Sequence, residues 1–266
     1  MPMPMPLSMP LPPPPSAAPL LQLRGVSIHF GALKAVDGVT LQLAAGERVA
    51  ILGPNGAGKT TLFNAITGMT PATGGQVLLD GADITRATPD ARAHRGIART
   101  FQITNLFFGL SVEDNLLLAA RGLARSRFAF WRDGAAQGAE RDTVESALSR
   151  CQLLAQRHLP VKELAYGEQR QLELAMSLTS SPRLLLLDEP AAGLSPAERV
   201  LMAEVIRGLP RSLALVLIEH DIDLALGLVD RVVCMVQGTV LLEGRPEDIR
   251  GNAQVQAIYL GRPRDA

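Results

Sequence analysis

The sequence is poor in cysteine, in net charge and in long apolar runs, and each shortage excludes something. Two cysteines, Cys151 and Cys234, occur in 266 residues. They are too far apart to read as a metal-type or redox pair, and they suit a reducing cytosol in which each is a small buried hydrophobe. Lysine and arginine number 26 and so do aspartate and glutamate, so no basic field calls for nucleic acid as a partner. No run of about 18 apolar residues occurs, so nothing here is expected to span a bilayer, and any membrane role must come through a partner. The length suffices for one large α/β domain, or a core plus a subdomain.

Proline is present but unevenly placed. Residues 1–19 alternate Met and Pro and then run from Pro12 to Pro15. Proline fixes φ and removes donors, so this stretch is expected to be an extended, disordered tail outside the folded part. It has neither the basic start nor the unbroken apolar stretch of a signal peptide.

The chain is organised around Gly53-Pro54-Asn55-Gly56-Ala57-Gly58-Lys59-Thr60, followed by Thr61, which matches the G-x-x-x-x-G-K-[ST] phosphate loop. Gly53, Gly56 and Gly58 permit backbone angles that let successive N–H groups point inward at an anion. Lys59 can reach β- and γ-phosphate oxygens, and the Thr60 hydroxyl can ligate Mg²⁺. The flanks agree. Residues 47–52 read as a buried strand, and residues 59–67 as a helix with Leu62, Phe63 and Ile66 on one face and Gly68 as its stop. The helix N-terminus adds its positive dipole end.

Elsewhere, alternation between Leu20 and Leu43 predicts two antiparallel strands, with another at residues 76–81. Thr88-Pro89 predicts a helix start, and residues 97–101 a short strand ending at Gln102. The pattern is helical over about 103–180: a capped start at Ser111, a solvated insertion over 122–141, and an amphipathic helix over 142–156. Strands and helices then alternate. Leu184 to Leu187 and Leu213 to Ile218 read as buried strands, Ser195-Pro196-Ala197-Glu198 and Asp221 as helix starts, and 231–236 with 239–242 as a hairpin around Gln237-Gly238. The predicted fold is an α/β P-loop NTPase core, a parallel sheet flanked by helices, with an antiparallel edge sheet and an inserted helical subdomain.

Two further stretches carry chemistry. Leu184 to Leu187 deliver Asp188 to the C-terminal end of a buried strand, where it would hold Mg²⁺ through its water shell. Glu189, one residue on, can face an attacking water as general base. Gly167, after Leu164-Ala165-Tyr166, opens a helix whose N–H groups form a second potential phosphate site.

Taken together, the phosphate loop, Gln102, LAYGEQRQLELA, LLLLDEP and Glu219-His220-Asp221 resemble, in order and spacing, the ATP-binding subunits of ABC transporters, over about residues 20–260. The resemblance implies one ATPase domain over 20–266, ATP with Mg²⁺, and a face-to-face dimer holding each ATP between two subunits. It implies that Phe30 stacks on adenine and that Gln102 touches Mg²⁺ and the attacking water. It further implies that Leu164 to Glu168, including Tyr166, Gly167 and Glu168, bind the γ-phosphate held by the opposite subunit, and that His220 contacts the γ-phosphate. His29, His94 and His158 receive no role. The signature usually reads L-S-G-G-Q, and this chain has Ala165 and Tyr166; the later loop usually ends in Asp, and this chain has Ser195. Those departures, with residues 96–102, 189–194 and Tyr259-Leu260-Gly261, resemble the ATP-binding subunits of high-affinity branched-chain amino-acid importers. That branch implies a second ATPase subunit (a heterodimer, or a homodimer), transmembrane permeases, and a periplasmic solute-binding protein acting indirectly. It places the subunit on the cytoplasmic face of the bacterial inner membrane. Import of urea or short amides, lipopolysaccharide export and a non-transport ABC ATPase are the alternatives.

Overall fold

The structure, a computed structural model, describes residues 18–100, 106–122 and 134–255. Two sheets carry it. The antiparallel sheet has the order β2–β1–β4–β5, from β1 (Leu21–Phe30), β2 (Leu33–Leu43), β4 (Gly74–Leu79) and the two-residue β5 (Ala82–Asp83). The larger sheet has the order β10–β9–β3–β8–β7–β6, from β3 (Arg48–Leu52), β6 (Ile97–Arg99), β7 (Leu184–Asp188), β8 (Ala214–Ile218), β9 (Arg231–Val236) and β10 (Thr239–Gly244). Strands β9, β3, β8, β7 and β6 run parallel, and β10 closes one edge antiparallel to β9.

The apolar character of β3, β7 and β8 follows from burial on both faces. Side chains alternate between faces. Leu185 and Leu187 of β7, with Leu215 and Leu217 of β8, join a core beneath the helical region. Leu184 and Leu186, with Val216 and Ile218, join a second core shared with the antiparallel sheet. The helix leaving the phosphate loop, α1 (Lys59–Thr67), packs Leu62, Phe63 and Ile66 into that second core and stops at the left-handed Gly68. A one-residue slip in β7 would exchange the two sets, so the register is tightly specified.

The helices are α2 (Pro89–Ala93), α3 (Val112–Gly122), α4 (Gly134–Arg150), α5 (Tyr166–Leu178), α6 (Pro196–Arg207), α7 (Ile222–Leu226) and α8 (Pro246–Arg250). Thr88, Ser195 and Asp221 cap α2, α6 and α7 through side-chain oxygens, as their sequence signals require. Two expectations are corrected. The amphipathic helix placed at 142–156 begins earlier, at Gly134, so the expected insertion over 122–141 is in part helix. It also ends earlier, at Arg150, where Cys151 and a left-handed Gln152 turn the chain. Leu153 N–H then bonds back to Leu148 C=O at 2.9 Å, so the apolar spacing continues through a turn rather than a helix. The short strand at 97 ends at Arg99, two residues before Phe101. Gln102, most of residues 122–133 and Tyr259-Leu260-Gly261 lie outside the described residues.

Two buried arginines hold helix ends to the core. Arg48 of β3 donates to the carbonyls of Ile206 and Leu209 at the end of α6, at 3.3 and 2.7 Å. Arg92 of α2 donates to Ala65 and Ile66 at the end of α1, at 2.5 and 2.8 Å. Each supplies donors to carbonyls that a helix terminus leaves without intrahelical partners. Both cysteines are buried and unpaired in disulfides, and burial pushes the Cys151 thiol up to about 12 and Cys234 to about 11. Among the described residues no helix is long and apolar enough to cross a membrane.

Candidate functional site

The phosphate-loop motif spans the link between β3 and α1, at the C-terminal edge of the parallel sheet, where open α/β sheets place ligands. Two of its glycines are required by close approach as well as by backbone angle. A Cβ on Gly53 would lie 2.2 Å from Met235 O of β9, and one on Gly58, at φ +97°, 2.3 Å from Ala35 O of β2. Both sheets thus press on the loop. The β9–β10 turn adds a bond from Gly238 N–H to Ala57 C=O at 3.0 Å. Pro54 is half-buried, Asn55 and Gly56 form the exposed tip, and Ala57 is buried.

Lys59 opens α1 and is buried, its Nζ donating to Gly53 O at 2.6 Å and Pro54 O at 3.0 Å. Burial lowers its pKa, against the pull of Glu189 and Asp188. Thr60 and Thr61 follow in the first turn, half-buried. Phe30 ends β1 at its hairpin and is 55 % exposed, an open aromatic face.

Asp188 and Glu189, neighbours in sequence, meet opposite environments. The Asp188 side chain is 0 % exposed and pairs with Arg99 of β6 at 2.6 Å. Burial raises its pKa, and the Arg99 hydrogen bond and charge pull it back. Arg99 also donates to Asn64 Oδ1 of α1 at 2.5 Å, so it ties the metal-site candidate to the phosphate-loop helix. Glu189 turns out of the strand with φ +51°, held by its own N–H on Ile218 C=O at 2.9 Å and by Ala192 N–H on its carbonyl at 3.0 Å. Its Oε1 lies 2.8 Å from His220 Nε2, in a pair open to solvent. A carboxylate and an imidazole at that distance can orient a water and move its proton.

At α5 the expectation of open N–H groups is corrected. Gly167 N–H donates to Glu198 Oε1 of α6 at 3.1 Å, and Ala165 N–H to Glu168 Oε2 at 2.8 Å. Glu198 is held there because its other oxygen accepts Ser195 N–H at 2.8 Å. Tyr166 is exposed, its hydroxyl 3.5 Å from Ala192 O and accepting from Arg170 at 3.0 Å. The structure therefore joins Glu189 to His220 and sets Tyr166 beside the loop that follows Glu189.

Residues 36–192 match the family model described as ABC transporter. Over 250 residues the chain is 40 % identical to "High-affinity branched-chain amino acid transport ATP-binding protein LivG" of Escherichia coli (strain K12), covering 91 % of this chain and 98 % of that protein. The chain belongs to the ABC transporter family of ATP-binding subunits. A second relative of this ABC subunit, "High-affinity branched-chain amino acid transport ATP-binding protein BraF" of Pseudomonas aeruginosa, is 39 % identical over the same shares of both chains. Among solved structures, "the ADP conformation of MJ1267, an ATP-binding cassette of an ABC transporter" aligns with TM-score 0.81 at 28 % identity, covering 92 % of this chain and 99 % of that one.

Sequence reasoning left three residues near this candidate site without a role in it. Arg99 gave one signal, a lone charge in a short strand. Glu219, buried at the end of β8, accepts Ala191 N–H at 2.9 Å and so fixes the loop after Glu189; burial raises its pKa. Its signal was an acid directly after an apolar strand. Glu198 was legible as a capping residue, and its bond to Gly167 was not. His29, His94 and His158 each lie near one surface carboxylate, and no group of three metal-binding side chains occurs among the described residues.

Proposed function

We propose that this chain hydrolyses ATP to power uptake of branched-chain amino acids or related small amino-acid-like solutes. It acts as one of two ATPase subunits docked on two membrane permeases at the cytoplasmic face of the inner membrane, served by a periplasmic solute-binding protein. The observation that carries the solute class is the 40 % identity to LivG along 91 % of the chain. The second ATPase subunit is a related chain, forming a heterodimer, with a homodimer of this chain as the alternative. Residues 20–266 form one ATPase domain, with a helical subdomain at about 103–180 and residues 1–19 outside it.

On this reading each ATP lies between the phosphate loop of one subunit and the signature residues of the other. Lys59 exchanges the carbonyls of Gly53 and Pro54 for β- and γ-phosphate oxygens, while the loop amides and the α1 dipole hold the rest of the charge. Phe30 stacks on the adenine. Tyr166, Gly167 and Glu168 meet the γ-phosphate of the opposite ATP, for which Gly167 N–H must leave Glu198. Glu189 takes the proton of the attacking water, and His220 orients Glu189 and the γ-phosphate. Gln102, outside the described residues, is assigned to the same water and to the metal.

The donor set fits Mg²⁺. Thr60 and Asp188 offer hard oxygen ligands, the kind this cation takes alongside phosphates and waters. A carboxylate offers about four acceptor sites and Arg99 uses one on Asp188, so acceptor capacity remains for a water of the cation's shell. When bound, Mg²⁺ neutralises charge that develops on the phosphates.

The test is uptake of labelled leucine by cells in which this gene is deleted. Uptake is expected to fall to background, to return with the parental gene, and not to return with Lys59→Ala. Unchanged leucine uptake with lost urea uptake would replace the solute class. Absence of phosphate release by the reconstituted complex would overturn the ATPase assignment itself.

A further inference from the structure

A small cavity lies between α5 and the end of β7, with about 10 Å³ of room for the centre of a water molecule. Asp188 and Thr100 line one side, and Arg170 and Glu173 of α5 the other. Two carboxylate oxygens on residues lining it, Asp188 Oδ1 and Glu173 Oε1, are buried and have no hydrogen-bond partner among the described residues. The Asp188 side chain is 0 % exposed and that of Glu173 10 %. Leaving two buried acceptors unpaired is costly, and native structures rarely do it.

We infer that one ordered water occupies this cavity, donating one proton to Asp188 Oδ1 and the other to Glu173 Oε1, and that Glu173 is thereby a positioning residue for Asp188. The size suits one water, and the polar partners meet the two to four that a buried water needs. A water has two protons to give, and the residues lining the cavity carry two acceptors that lack them. Thr100, whose hydroxyl accepts Asp188 N–H at 3.4 Å, has its own proton to give to the water's oxygen. A cation does not fit, because Arg170, itself a cation, lines the cavity. A carboxylate offers about four acceptor sites. Arg99 takes one on Asp188 and the water takes another, and the rest remain for a metal's shell.

With that water in place a polar chain runs unbroken through the subunit. Tyr166 accepts from Arg170 at 3.0 Å, and Arg170 also stacks over its ring at 5.2 Å. Arg170 donates to Glu173 Oε2 at 2.8 Å. The water bridges Glu173 to Asp188, Asp188 pairs with Arg99, and Arg99 reaches Asn64 in the helix of the phosphate loop. This rests on the reading above, in which Tyr166 faces the ATP of the opposite subunit and Asp188 serves its own. The chain would then let each ATP site register the closure of the other.

The experiment measures Mn²⁺ binding to the full-length chain with ATP, by electron paramagnetic resonance, alongside metal-free ATP affinity by calorimetry. Glu173→Leu removes the acceptor and fills the space. It is expected to weaken Mn²⁺ binding about tenfold, the effect of losing one bond to a charged group, with metal-free ATP affinity unchanged. Glu173→Gln keeps an oxygen in place and is expected to stay within about threefold of the parent. Parental Mn²⁺ affinity in Glu173→Leu, an equal loss in both variants, or a matching loss of metal-free ATP binding would overturn the inference. A crystal structure of the parental chain decides it independently of folding and of nucleotide. Density within hydrogen-bond reach of both oxygens supports the water, and no density, or density touching only one, overturns it. Failure of the parent to bind Mn²⁺ with ATP would instead count against the assignment of Asp188 to the metal.

Discussion

The phosphate-loop motif and the start of α5 are the two stretches we assign to phosphate, and they are held by different means. The loop leaves a strand buried at all five residues and is clamped by backbone from both sheets, at Met235 and Ala35. The start of α5 is held by side chains: Glu198 on Gly167 N–H, and Tyr166 beside Ala192 with Arg170 over its ring. Backbone clamps leave little room for adjustment, because packed interiors resist even small changes of volume. Side-chain contacts at half-open positions exchange easily for an incoming anion. On the proposed reading the backbone of the first region is set before ATP arrives and only the Lys59 side chain changes partners, whereas the second is completed by the partner's nucleotide.

The comparison can be broken first at Glu189. Glutamine there fills nearly the same volume and cannot accept a proton, so hydrolysis is expected to fall by about 10²–10⁴-fold with ATP binding retained. Single-turnover phosphate release by the reconstituted complex measures this, and light scattering should find the variant accumulating as an ATP-bound dimer. A near-parental rate would move the base elsewhere, with His220 the first candidate. Lys59→Ala should come next, weakening ATP binding roughly 100-fold or more, since Lys59 is a buried point charge with several bonds to phosphate at stake. Calorimetry showing near-parental affinity would contradict the phosphate-loop assignment.

The other region should answer differently. Tyr166→Ala loses a half-exposed ring and a cation–π contact of about 0.5–1 kcal/mol. The melting temperature of the isolated chain should therefore fall by no more than about 4 °C. ATP affinity of the isolated chain should not change, whereas hydrolysis by the assembled complex should drop about tenfold, as for one lost bond to a charged group. Equal losses in isolation and in assembly would erase the distinction between the two regions. The smallest effect is expected from deleting residues 1–19, which offer no periodic apolar face. Melting temperature and hydrolysis rate should stay at parental values, and a large fall in either would mean that this stretch packs on the domain or a partner.

Much of the first region was legible in the sequence because its signals are local. Eight consecutive residues specify the loop, and a wholly apolar strand followed by an acid specifies the end of β7. Gly68 and the caps at Ser195 and Asp221 are local in the same sense. The second region was legible only as a helix start. That Gly167 N–H is already occupied depends on Glu198, 31 residues away. That Asp188 has a protein counter-charge depends on Arg99, 89 residues away. Arg48 and Arg92 follow the same rule: a buried arginine reads as surface charge until the fold shows which helix ends it satisfies. The early end of α4 was hidden because Leu148, Cys151 and Leu154 keep a helical spacing while the backbone beyond Arg150 does not.

The left-handed backbone of Glu189 sets stability against turnover. A non-glycine residue at φ +51° carries strain of about 1–2 kcal/mol, which a glycine would not. Glu189→Gly would release that strain, offset in part by the backbone entropy that glycine loses on folding and by the lost bond to His220, and it would leave a fold that cannot turn over. A screen for stability that makes no demand on activity should therefore tolerate glycine at this position, and the variants it returns should be unable to hydrolyse ATP.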